Sequence, residues 1–472
     1  MGSEIRLTAD WVAAAMGGNI VRGDRGTAFA GVSIDTRSLR PGELYVGIRG
    51  ERFDGADFAG AAAAAGAAGV VVPRGRGAVL SNSGQAPTPT VIEVDDTTIA
   101  LQSVSKAVRV ASGAKVVAIT GSAGKTTTKE ITAEFLGAKY RVIRNRGNLN
   151  NHIGLPLSLL ELTARPDVAV VELGMNHAGE IRTLVGIAEP EVRVWTNVGE
   201  AHLGFFPSVD AIADAKAELL EGSTKSTVLV VNGDDDRITA RTRTFAGRRL
   251  TFGVELPADV QAFDVADRGI DGTSASVATP IGAFKLTTPL VGRGNLANIL
   301  AATAVGVSFD VPLTAMAERA ARLKPASHRG DVTRLARGVV VIDDSYNANP
   351  TATQGAIDVL RTTRTAGRRV AVLGEMLELG DGAIGLHETV GRAAAAGRVD
   401  LLIAVGGAPA RALADAAIVA GLVRSNVHYF ETSDEAAASA ASLVRAGDLV
   451  LVKGSRGVQT DKVVDRLMAE FA

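Results

Sequence analysis

The amino-acid sequence predicts an α/β protein with three domains, and three observations lead to that prediction. The chain has 472 residues, which is too long for a single hydrophobic core and corresponds to about three domains. Continuous apolar, β-branched runs alternate with Ala-rich or amphipathic segments, a pattern typical of buried parallel strands joined by helices. A glycine turn between one such run and a helix indicates a phosphate-binding loop. We expect the domains at residues 1–112, 113–325 and 326–472.

Composition favours small molecules as partners rather than nucleic acid or membranes. The 50 basic and 51 acidic side chains are intermixed and give a net charge of −1, so no field of one sign attracts a polyanion or an anionic membrane surface. The chain has no cysteine, which excludes disulfides and thiolate chemistry and is consistent with a reducing compartment. The start lacks the features of a signal peptide, and the most apolar stretch, residues 58–72, is too short to span a bilayer. We therefore expect a soluble, cytoplasmic protein.

The phosphate-binding loop is predicted within residues 115–129, which read KVVAITGSAGKTTTK. The apolar run ending at Ile119 is a predicted strand, and a helix is expected to begin near Lys125. Glycines let backbone N–H groups converge on phosphate oxygens, the helix N-terminus adds its positive dipole end, Lys125 adds a charge, and Thr126 offers a hydroxyl to Mg2+. Ile119 stands where the usual G-x-x-x-x-G-K-[ST] pattern has its first glycine. The residues predicted to bind nucleotide phosphates are Gly121, Ser122, Ala123, Gly124, Lys125, Thr126 and Thr127.

Polar residues follow the predicted strands of the first domain. Ser33, Asp35 and Arg37 precede a Pro-Gly turn, and RGERFDG at residues 49–55 follows the next strand. Polar side chains at strand ends can hold a ligand, but spacing alone favours turn and helix-cap roles. The strands are predicted at residues 42–48, 69–72 and 90–94, with an Ala-rich helix between the first two.

In the second domain, three buried-strand runs end in polar groups that could bind ligands. Because the carboxyl ends of parallel strands meet at one edge of a sheet, Glu172, Asn197 and His202 are expected near the phosphate loop. Glu172 and Thr126 are hard oxygen donors suited to Mg2+. His202 could be a metal ligand, a base or a structural loop residue. The strands are predicted at residues 168–173, 192–196 and 228–231.

Three further features of the second domain have structural interpretations. The acidic run at residues 234–236 follows Asn-Gly and is interpreted as a turn. Lys216 lies in a predicted helix over residues 211–221 and, by its pattern alone, is a solvated helix residue. Residues 292–302 are expected to be a loop leading into a helix that carries Asn295 and Asn298 on one face.

The third domain repeats the α/β pattern and is predicted to be a doubly wound, Rossmann-like domain. Pro325 is expected to end the preceding helix. Polar residues follow its strands at 343–349, 374–376 and 453–456, so a ligand between the second and third domains would contact both sheet edges. The strands are predicted at residues 339–342, 369–373, 401–405 and 449–452.

Seven motifs, in order along nearly the whole chain, resemble those of the Mur ligases. They are ITGSAGKTTTKE at residues 119–130, NRGNLNNHIGLPLSLL at 145–160, ELGMNHAGEI at 172–181, TNVGEAHLGFF at 196–206, the helix around Lys216, IDDSYNANP at 342–350 and LGEMLELG at 373–380. The resemblance implies that the first domain binds a UDP-sugar, that the second and part of the third bind ATP, and that the domains close around the reactants.

The resemblance also implies roles for individual positions. Lys216 matches a lysine that is carbamylated in the family, a change that converts a cation into a metal-binding anion. The implied catalytic residues are Lys125, Glu172, His202, Lys216 and Arg329, and the implied Mg2+ ligands are Thr126, Glu172, His202 and Lys216. The implied ATP contacts beyond the loop are Asn295, Asn298, Arg329 and Asp344, and the implied substrate contacts are Ser33, Asp35, Arg37, Asn148, Asn150, Asn151, Asn347 and Asn349.

The reaction implied by the resemblance is an ATP-dependent amide ligation between UDP-N-acetylmuramoyl-tripeptide and D-Ala-D-Ala. ATP converts the terminal carboxylate of the tripeptide into an acyl phosphate, the amine of the dipeptide attacks it, and phosphate leaves through a tetrahedral intermediate. The protein supplies charge neutralisation and positioning. We expect a monomer in which domain closure protects the acyl phosphate from water.

The chain departs from the family pattern at three places. Gly294 stands where histidine is usual beside Asn295, His152 stands where an acid is common, and residues 453–463 lack a usual methionine after KGSR. Other interpretations stay open: a sibling ligase that adds the third amino acid, a folate or polyglutamate ligase, a P-loop kinase or regulatory NTPase, and a catalytically inert binding protein. The chain has no Asp-Asn-Pro-Arg motif, which argues against a sibling that accepts diaminopimelate. Whether the third peptide residue of the substrate is diaminopimelate or lysine is not determined by the sequence.

Overall fold

In the computed structural model, residues 4–77 and 88–472 are described. The chain divides into two compact units, and each is described by itself. The first unit comprises the residues up to Ala118 together with Tyr140–Val192, and the second comprises Ile119–Lys139 and Arg193–Ala472. Strands and helices alternate in both units, and most strand pairs are parallel, so the predicted α/β class is confirmed.

The N-terminal part of the first unit contains β1 (Leu7–Thr8), α1 (Ala9–Met16), β2 (Asn19–Arg22), β3 (Ala28–Phe29), β4 (Val32–Ser33), β5 (Leu44–Val46), α2 (Ala59–Ala64), β6 (Gly69–Pro73), β7 (Thr90–Val94) and α3 (Thr97–Ser112). Five strands form a sheet in the order β2-β7-β6-β5-β4, in which β4 to β7 are parallel and β2 is antiparallel. Val70, Val72 and Tyr45 pack in its core with alanines of α2. The three strands and the Ala-rich helix predicted here are therefore confirmed.

The chain continues through β8 (Lys115–Thr120), α4 (Lys125–Leu136), β9 (Val142–Arg144), α5 (Gly154–Leu159), β10 (Val168–Glu172), α6 (Glu180–Ala188), β11 (Val192–Trp195), α7 (Val209–Ala217) and β12 (Val228–Asn232). In the first unit, β9 and β10 pair in parallel. In the second unit, β8 ends beside β11, where the N–H of Thr196 donates to the carbonyl of Thr120 (3.0 Å). The predicted strand, turn and helix around the phosphate loop are confirmed, as are the three later strands.

The second unit then contains α8 (Asp236–Thr242), β13 (Arg248–Gly253), β14 (Val260–Asp267), β15 (Thr273–Thr279), β16 (Gly282–Thr288), α9 (Gly292–Ser308) and α10 (Leu313–Ala320). Strands β12, β13 and β14 are parallel, whereas β14, β15 and β16 form an antiparallel meander. The meander was not predicted, because its strands mix small, polar and charged residues instead of forming continuous apolar runs.

The C-terminal part of the second unit contains β17 (Asp331–Arg334), β18 (Val340–Asp344), α11 (Pro350–Thr362), β19 (Arg369–Gly374), α12 (Ala383–Ala396), β20 (Leu401–Val405), α13 (Ala408–Val419), β21 (Val427–Phe430), α14 (Ser433–Leu443), β22 (Leu449–Lys453) and α15 (Asp461–Glu470). Its sheet has the order β17-β18-β22-β19-β20-β21, with only β17 antiparallel among these strands. Alternate residues of the strands enter two separate apolar clusters, one on each face. This is the predicted doubly wound arrangement, with the four predicted strands in place.

Two predicted boundaries are wrong. Residues 292–302 do not begin as a loop, because α9 starts at Gly292 itself. The helix before Pro325 ends at Ala320, so the proline lies in the connection that follows the helix rather than at its end. No helix within residues 4–77 and 88–472 is both long and apolar enough to cross a membrane.

Candidate functional site

The turn between β8 and α4 has a backbone suited to holding phosphate. Gly121 and Gly124 have φ values of 152° and 78°, which residues with a Cβ rarely adopt. A Cβ on Gly121 would collide with the hydroxyl of Thr196, and one on Gly124 with the side-chain oxygen of Asn298. Gly124, the N-cap residue, provides no side-chain cap for α4, and the positive end of a helix is a favourable place for an anion.

Hydrogen bonds from the residues after β11 hold this turn in shape. Oγ1 of Thr196 donates to the carbonyl of Ala123 (2.7 Å). The amide of Asn197 accepts from the N–H of Ala123 (2.8 Å) and donates to its carbonyl (3.1 Å). The N–H of Ser122 donates to the carbonyl of Asn197 (3.0 Å), and its Oγ accepts from the N–H of Gly199 (2.9 Å). The loop is therefore preformed, and Asn197 is a structural part of it.

Two lysines lie near the loop. The ammonium of Lys125 donates to the carbonyl of Gly121 (2.8 Å). Lys216, on α7, is 1% exposed, and no carboxylate within the described part of the chain pairs with it. Burial, and secondly the charge of Lys125, lower the pKa of Lys216 well below its usual value. The prediction of a solvated helix residue is therefore wrong, and the two amines together favour an anionic ligand.

His202 lies in the loop after β11 and belongs to the same cluster of charges. Its Nδ1 is 2.6 Å from Oε2 of Glu378, a residue that follows β19 in the C-terminal sheet. Burial is the main cause that lowers the pKa of His202, and the charges of Lys125 and Lys216 lower it further, while Glu378 acts in the opposite direction. The net effect favours a neutral imidazole, which is the form that can accept a hydrogen bond or bind a metal.

Helix α9 carries Asn295 and Asn298 on one face, as predicted. The buried Asn298 accepts from the hydroxyl of Thr128 (3.1 Å) and donates to Oδ1 of Asn295 (3.3 Å). Asn295 in turn donates to the carbonyl of Val291 (2.9 Å). A Cβ on Gly294 would meet nothing within 4 Å, so no close contact at the Cβ position requires glycine here.

Polar groups also line the carboxyl edge of the C-terminal sheet. Asp344, at the end of β18, accepts from the buried ammonium of Lys453 (2.6 Å), and Lys453 also donates to the carbonyl of Asn347 (3.0 Å). The guanidinium of Arg329 lies 4.2 Å from the ring centre of Tyr346. The cation–π contact holds the side chain of Arg329, and the ion pair holds that of Asp344. Both residues are ATP contacts implied by the resemblance.

In the first unit, Glu172 closes β10 and is 3% exposed. Its Oε1 accepts from the side-chain amide of Asn150 (2.7 Å), and its backbone N–H donates to Oδ1 of Asn145 (2.9 Å). A Cβ on Gly174 would lie 2.8 Å from the amide carbon of Asn150. Asn150 is therefore packed against this strand end and orients the carboxylate of Glu172.

Five predicted substrate contacts have local partners in the structure. Asp35 accepts from the backbone and guanidinium of Arg37, and these bonds lower the pKa of Asp35 to about 2. Ser33 donates to the carbonyl of Asp35 (3.1 Å), so these three residues form the turn that their spacing favoured. Asn151 and Asn349 accept from backbone N–H groups at the starts of α5 and α11 (2.8 Å each).

Two other predicted contacts, Asn148 and Asn347, are exposed. His152 is also exposed, and its carbonyl accepts from the side chain of Gln102 (3.0 Å). The bonds that these residues make within the described ranges 4–77 and 88–472 involve their backbone carbonyls. Their side chains are therefore accessible to a ligand.

In the acidic run after β12, Asp234 lies in a turn, as predicted, whereas Asp235 caps α8 and Asp236 begins it. Asp234 accepts from the backbone N–H groups of Val254 (2.7 Å) and Leu256 (2.8 Å). Asp235 accepts from the N–H of Val198 (2.8 Å) and also caps α8. These carboxylates satisfy backbone groups and are not arranged as metal ligands.

The donor set fits Mg2+ only in the presence of an anion. Within residues 4–77 and 88–472, no group of three His, Cys, Asp or Glu side chains could hold a metal ion. Thr126 supplies a hydroxyl, but two amines, Lys125 and Lys216, lie near it in the loop region. Because Mg2+ prefers oxygen ligands and is commonly shared with nucleotide phosphates, phosphate oxygens would have to complete the site.

Three residues that shape the site were given no individual role from the sequence. Thr196 buttresses the glycine turn, Lys453 neutralises Asp344, and Glu378 binds His202. The motif LGEMLELG placed a glutamate beyond β19, but nothing in the sequence indicated which strand-end loop it would contact.

The preformed glycine turn, the N-terminus of α4 that follows it and the two lysines define a nucleotide-binding α/β protein of the P-loop type. Family models match three consecutive segments: the Mur ligase family catalytic domain at residues 28–116, the Mur ligase middle domain at 119–306 and the Mur ligase glutamate ligase domain at 328–456. The UDP-N-acetylmuramoyl-tripeptide-D-alanyl-D-alanine ligase of Bacillus subtilis (strain 168) is 34% identical over 446 residues, covering 94% of each chain. The chain belongs to the Mur ligase family.

Solved structures agree with this assignment. A crystal structure of MurF from Acinetobacter baumannii has a TM-score of 0.87 and 30% identity, and covers 99% of this chain and 100% of that chain. The MurF ligase of Thermotoga maritima in complex with ADP has a TM-score of 0.79 and 28% identity, and covers 93% and 97% of the two chains. The similarity therefore extends over all three matched segments.

Proposed function

We propose that this protein is an ATP-dependent ligase that joins D-Ala-D-Ala to UDP-N-acetylmuramoyl-tripeptide. The products are the UDP-pentapeptide precursor of peptidoglycan, ADP and phosphate. The main support is similarity to a ligase of that name over 94% of the chain, together with a preformed loop beside Lys125 and Lys216. A P-loop kinase or regulatory NTPase would use the loop, but it would leave the polar edge of the C-terminal sheet without a role.

The second unit supplies the ATP-binding groups in this proposal. Backbone N–H groups of the loop and of the first turn of α4 bind the phosphates, and Lys125 exchanges its bond to the Gly121 carbonyl for a phosphate oxygen. Asn295, Asn298 and Asp344 contact the nucleoside, and Arg329 contacts phosphate from the C-terminal part. The loop residues concerned are Gly121, Ser122, Ala123, Gly124, Lys125, Thr126 and Thr127.

Lys216 is proposed to be carbamylated. An amine reacts with CO2 only in its neutral form, and both burial and Lys125 lower the pKa of Lys216. The carbamate would replace one of two neighbouring positive charges by a negative one, which stabilises the cluster electrostatically. Mass analysis of the native protein should then show an addition of about 44 Da, the mass of CO2, that is lost on acidification.

Mg2+, when bound with ATP, would neutralise phosphate charge and draw electron density from the γ-phosphate. Thr126, His202 and carbamylated Lys216 are the proposed ligands in the second unit. Glu172 keeps the metal-binding role that its ELG motif implies, and Asn150 orients its carboxylate. The residues of the chain do the remaining work by binding, orienting and excluding water.

The proposed chemistry needs no covalent enzyme nucleophile. The tripeptide carboxylate attacks the γ-phosphorus and ADP leaves. The amine of D-Ala-D-Ala then attacks the acyl carbon of the resulting acyl phosphate, and the tetrahedral intermediate collapses to the amide with loss of a proton and of phosphate. Lys125 and Arg329 stabilise the negative charge that moves to the phosphoryl oxygens, while the rigid loop fixes the reacting groups. The substrate contacts proposed are Ser33, Asp35, Arg37, Asn148, Asn150, Asn151, Asn347 and Asn349.

The domain division at residues 1–112, 113–325 and 326–472 is part of the proposal, with the first domain binding the UDP-sugar. We also propose that the enzyme acts as a monomer in the cytoplasm, where UDP-linked substrates and ATP are available. Size-exclusion chromatography with light scattering tests the monomer.

The test is phosphate release by the purified protein with Mg-ATP, UDP-N-acetylmuramoyl-tripeptide and D-Ala-D-Ala, with each omitted in turn. Mass analysis should show a UDP-pentapeptide only in the complete mixture. Comparison of lysine and diaminopimelate tripeptides identifies the third residue. ATP turnover that ignores both the tripeptide and the dipeptide would support an NTPase and overturn the proposal.

A further inference from the structure

The contact between Glu378 and His202 joins two parts of the second unit that are far apart in sequence. Glu378 follows β19 of the C-terminal sheet, and His202 follows β11 beside the phosphate loop. Oε2 of Glu378 lies 2.6 Å from Nδ1 of His202. The histidine side chain is 21% exposed and the glutamate 45% exposed, so the contact is partly shielded from water.

The backbone around this contact is strained on both sides. Glu378 has φ 64° and His202 has φ 65°, left-handed values that cost energy for residues with a Cβ. The carbonyl of Glu378 accepts from the N–H of Gly204 (2.7 Å). At Gly380, φ is 60° and an added Cβ would lie 3.1 Å from Cα of Gly204. Because both residues keep unfavourable backbone conformations, the surrounding structure must hold them in this contact.

The segment that carries Glu378 is fixed to the C-terminal part of the unit through each of the three preceding residues. The N–H of Glu375 donates to the carbonyl of Val405 (2.8 Å), and its carboxylate accepts from the N–H of Gly407 (2.6 Å). The N–H of Met376 donates to Nε2 of His387 (2.9 Å), and the N–H of Leu377 donates to Oγ of Ser455 (2.9 Å). The carboxylate of Glu378 is therefore presented from a rigid base rather than from a free loop.

The hydrogen bond determines which nitrogen of His202 carries the proton. An ionised carboxylate can only accept, so Nδ1 must be the protonated nitrogen, and the lone pair of a neutral ring is then on Nε2. We propose that Glu378 is a positioning residue that fixes the tautomer and orientation of His202. Through this contact, the position of the C-terminal sheet affects the phosphate site. The role in catalysis rests on the proposed function, whereas the effect on the tautomer does not.

The first experiment reads the tautomer directly and needs no activity. The chain has 6 histidines, so 15N-imidazole NMR spectra are simple, and His202→Gln assigns the His202 signals. In the wild type, the 15N shifts of His202 should be those of a ring protonated on Nδ1. In Glu378→Ala, the Nε2-protonated form should rise to at least a third of the population, while Glu378→Gln, whose amide oxygen can accept the same proton, should remain closer to the wild type.

The control variant is Thr351→Ala, which removes a different hydrogen bond between the same two regions. The hydroxyl of Thr351 donates to Oε2 of Glu200 (2.8 Å), which is a separate carboxylate from the one that holds His202. This variant should leave the tautomer unchanged. An unchanged tautomer in Glu378→Ala, or an equal change in Thr351→Ala, would overturn the proposal, provided that thermal melts show both variants folded.

Kinetics provide the second readout. Removing such an outer partner of a ligand histidine typically lowers activity about 10- to 100-fold. We expect Glu378→Ala to reduce kcat by that factor, to change the KM for the UDP-tripeptide less than threefold, and to be largely rescued in Glu378→Gln. If Glu378→Ala raised KM and left kcat unchanged, the proposed positioning of His202 by Glu378 would be contradicted. If the wild type itself makes no pentapeptide, the proposed function fails, but the NMR experiment still decides whether Glu378 positions His202.

Discussion

The second unit contains two turns in which a buried parallel strand is followed by glycine and a helix, and they satisfy the helix N-terminus in different ways. After β8, the turn from Gly121 to Gly124 leaves the start of α4 without a side-chain cap and places Lys125 beside it. After β20, Gly406 has φ 135° and Gly407 donates its N–H to the carboxylate of Glu375 (2.6 Å). The hydroxyl of Tyr429 closes the second turn by donating to the carbonyl of Gly406 (2.8 Å).

The comparison separates a binding turn from a structural turn with similar backbone geometry. Both present N–H groups at the positive end of a helix, where an anion is stabilised. In the second turn the chain supplies that anion through Glu375, so the turn is already satisfied. In the first turn the chain instead places two amines, Lys125 and Lys216, near the helix start, which favours an anionic ligand there. Glycine at a strand end is therefore insufficient evidence for a phosphate site until the charges around it are known.

Lys125→Ala should have the largest effect, because it removes the cation that distinguishes the first turn. We expect kcat for phosphate release to fall about 100- to 1,000-fold, the usual cost of losing one charge-stabilising group from a reacting centre. The melting temperature should change little, since Thr196 and Asn197 already hold the turn that Lys125 bonds to. Steady-state assays and thermal melts, with and without ADP, measure both effects.

A matched control is Lys462→Ala, which removes an exposed lysine paired with Asp434 (2.7 Å). Surface ion pairs contribute about 0–1 kcal/mol, so this variant should retain full activity. If Lys125→Ala also remained active, the first turn would not be the phosphate site.

Lys216→Met should separate stability from activity. The substitution keeps the length of the side chain but removes a buried amine, so relative to the wild type without the carbamate it should raise the free energy of unfolding by about 1–2 kcal/mol. Activity should fall at least about 100-fold if a carbamate at this position is required for the metal. Urea unfolding and phosphate release measure the two effects. A variant that is destabilised and fully active would contradict both the burial argument and the proposed carbamate.

The sequence was sufficient for the phosphate loop because all the relevant signals are local. The apolar run, the glycines and Lys125 lie within 15 residues, and β8 and α4 form where their periodicity placed them. The continuous apolar runs also identified the strands of the C-terminal sheet, since a strand covered on both faces has no polar alternation. The same apolar runs predicted where each strand ends, and so identified the strand end that carries Asp344.

The sequence was insufficient wherever a residue acts through a partner distant in the chain. Lys216 has the pattern of a surface helix residue, and only the packed structure shows that it is buried beside Lys125. Glu375 and Glu378 lie three positions apart in one motif, yet one caps a helix and the other contacts His202. Local propensity cannot distinguish these roles, because they depend on which loops meet in the folded chain.

Glu375→Ala should make the second turn resemble the first, because no carboxylate of the chain would then accept from the N–H of Gly407. Loss of the carboxylate leaves the N–H of Gly407 and the start of α13 unsatisfied, which should lower the free energy of unfolding by about 1 kcal/mol. Sulfate should then stabilise the variant more than the wild type, because an added anion can replace the missing carboxylate. Urea unfolding at constant ionic strength, with sulfate or chloride, tests both statements.

The control for that experiment is Glu388→Ala, which removes an exposed carboxylate paired with Arg392 within α12. It should shift unfolding by less than about 0.5 kcal/mol and show no added response to sulfate. An equal response in the two variants would mean that Glu375 does not serve as the internal anion.

The smallest expected effect concerns His387, which fixes the residue beside Glu375. Its Nδ1–H donates to the carbonyl of Ala383 (2.7 Å), and its Nε2 accepts from the N–H of Met376 (2.9 Å), so the folded state holds the neutral ring. Burial is the main cause that lowers the pKa of His387 from its usual 6.5, while the bond to Ala383 and the charge of Glu375 oppose it.

The folded protein therefore binds this proton more weakly than the unfolded chain does. Stability should be constant with respect to this group above pH 6.5 and should fall as the pH decreases through the lower folded pKa. Because glutamine does not titrate, His387→Gln should flatten the dependence of the unfolding free energy on pH between 7 and 5, even if its stability at pH 8 is lower. Urea titrations across this range measure the slope, and equal slopes in the wild type and the variant would show that His387 does not contribute to it.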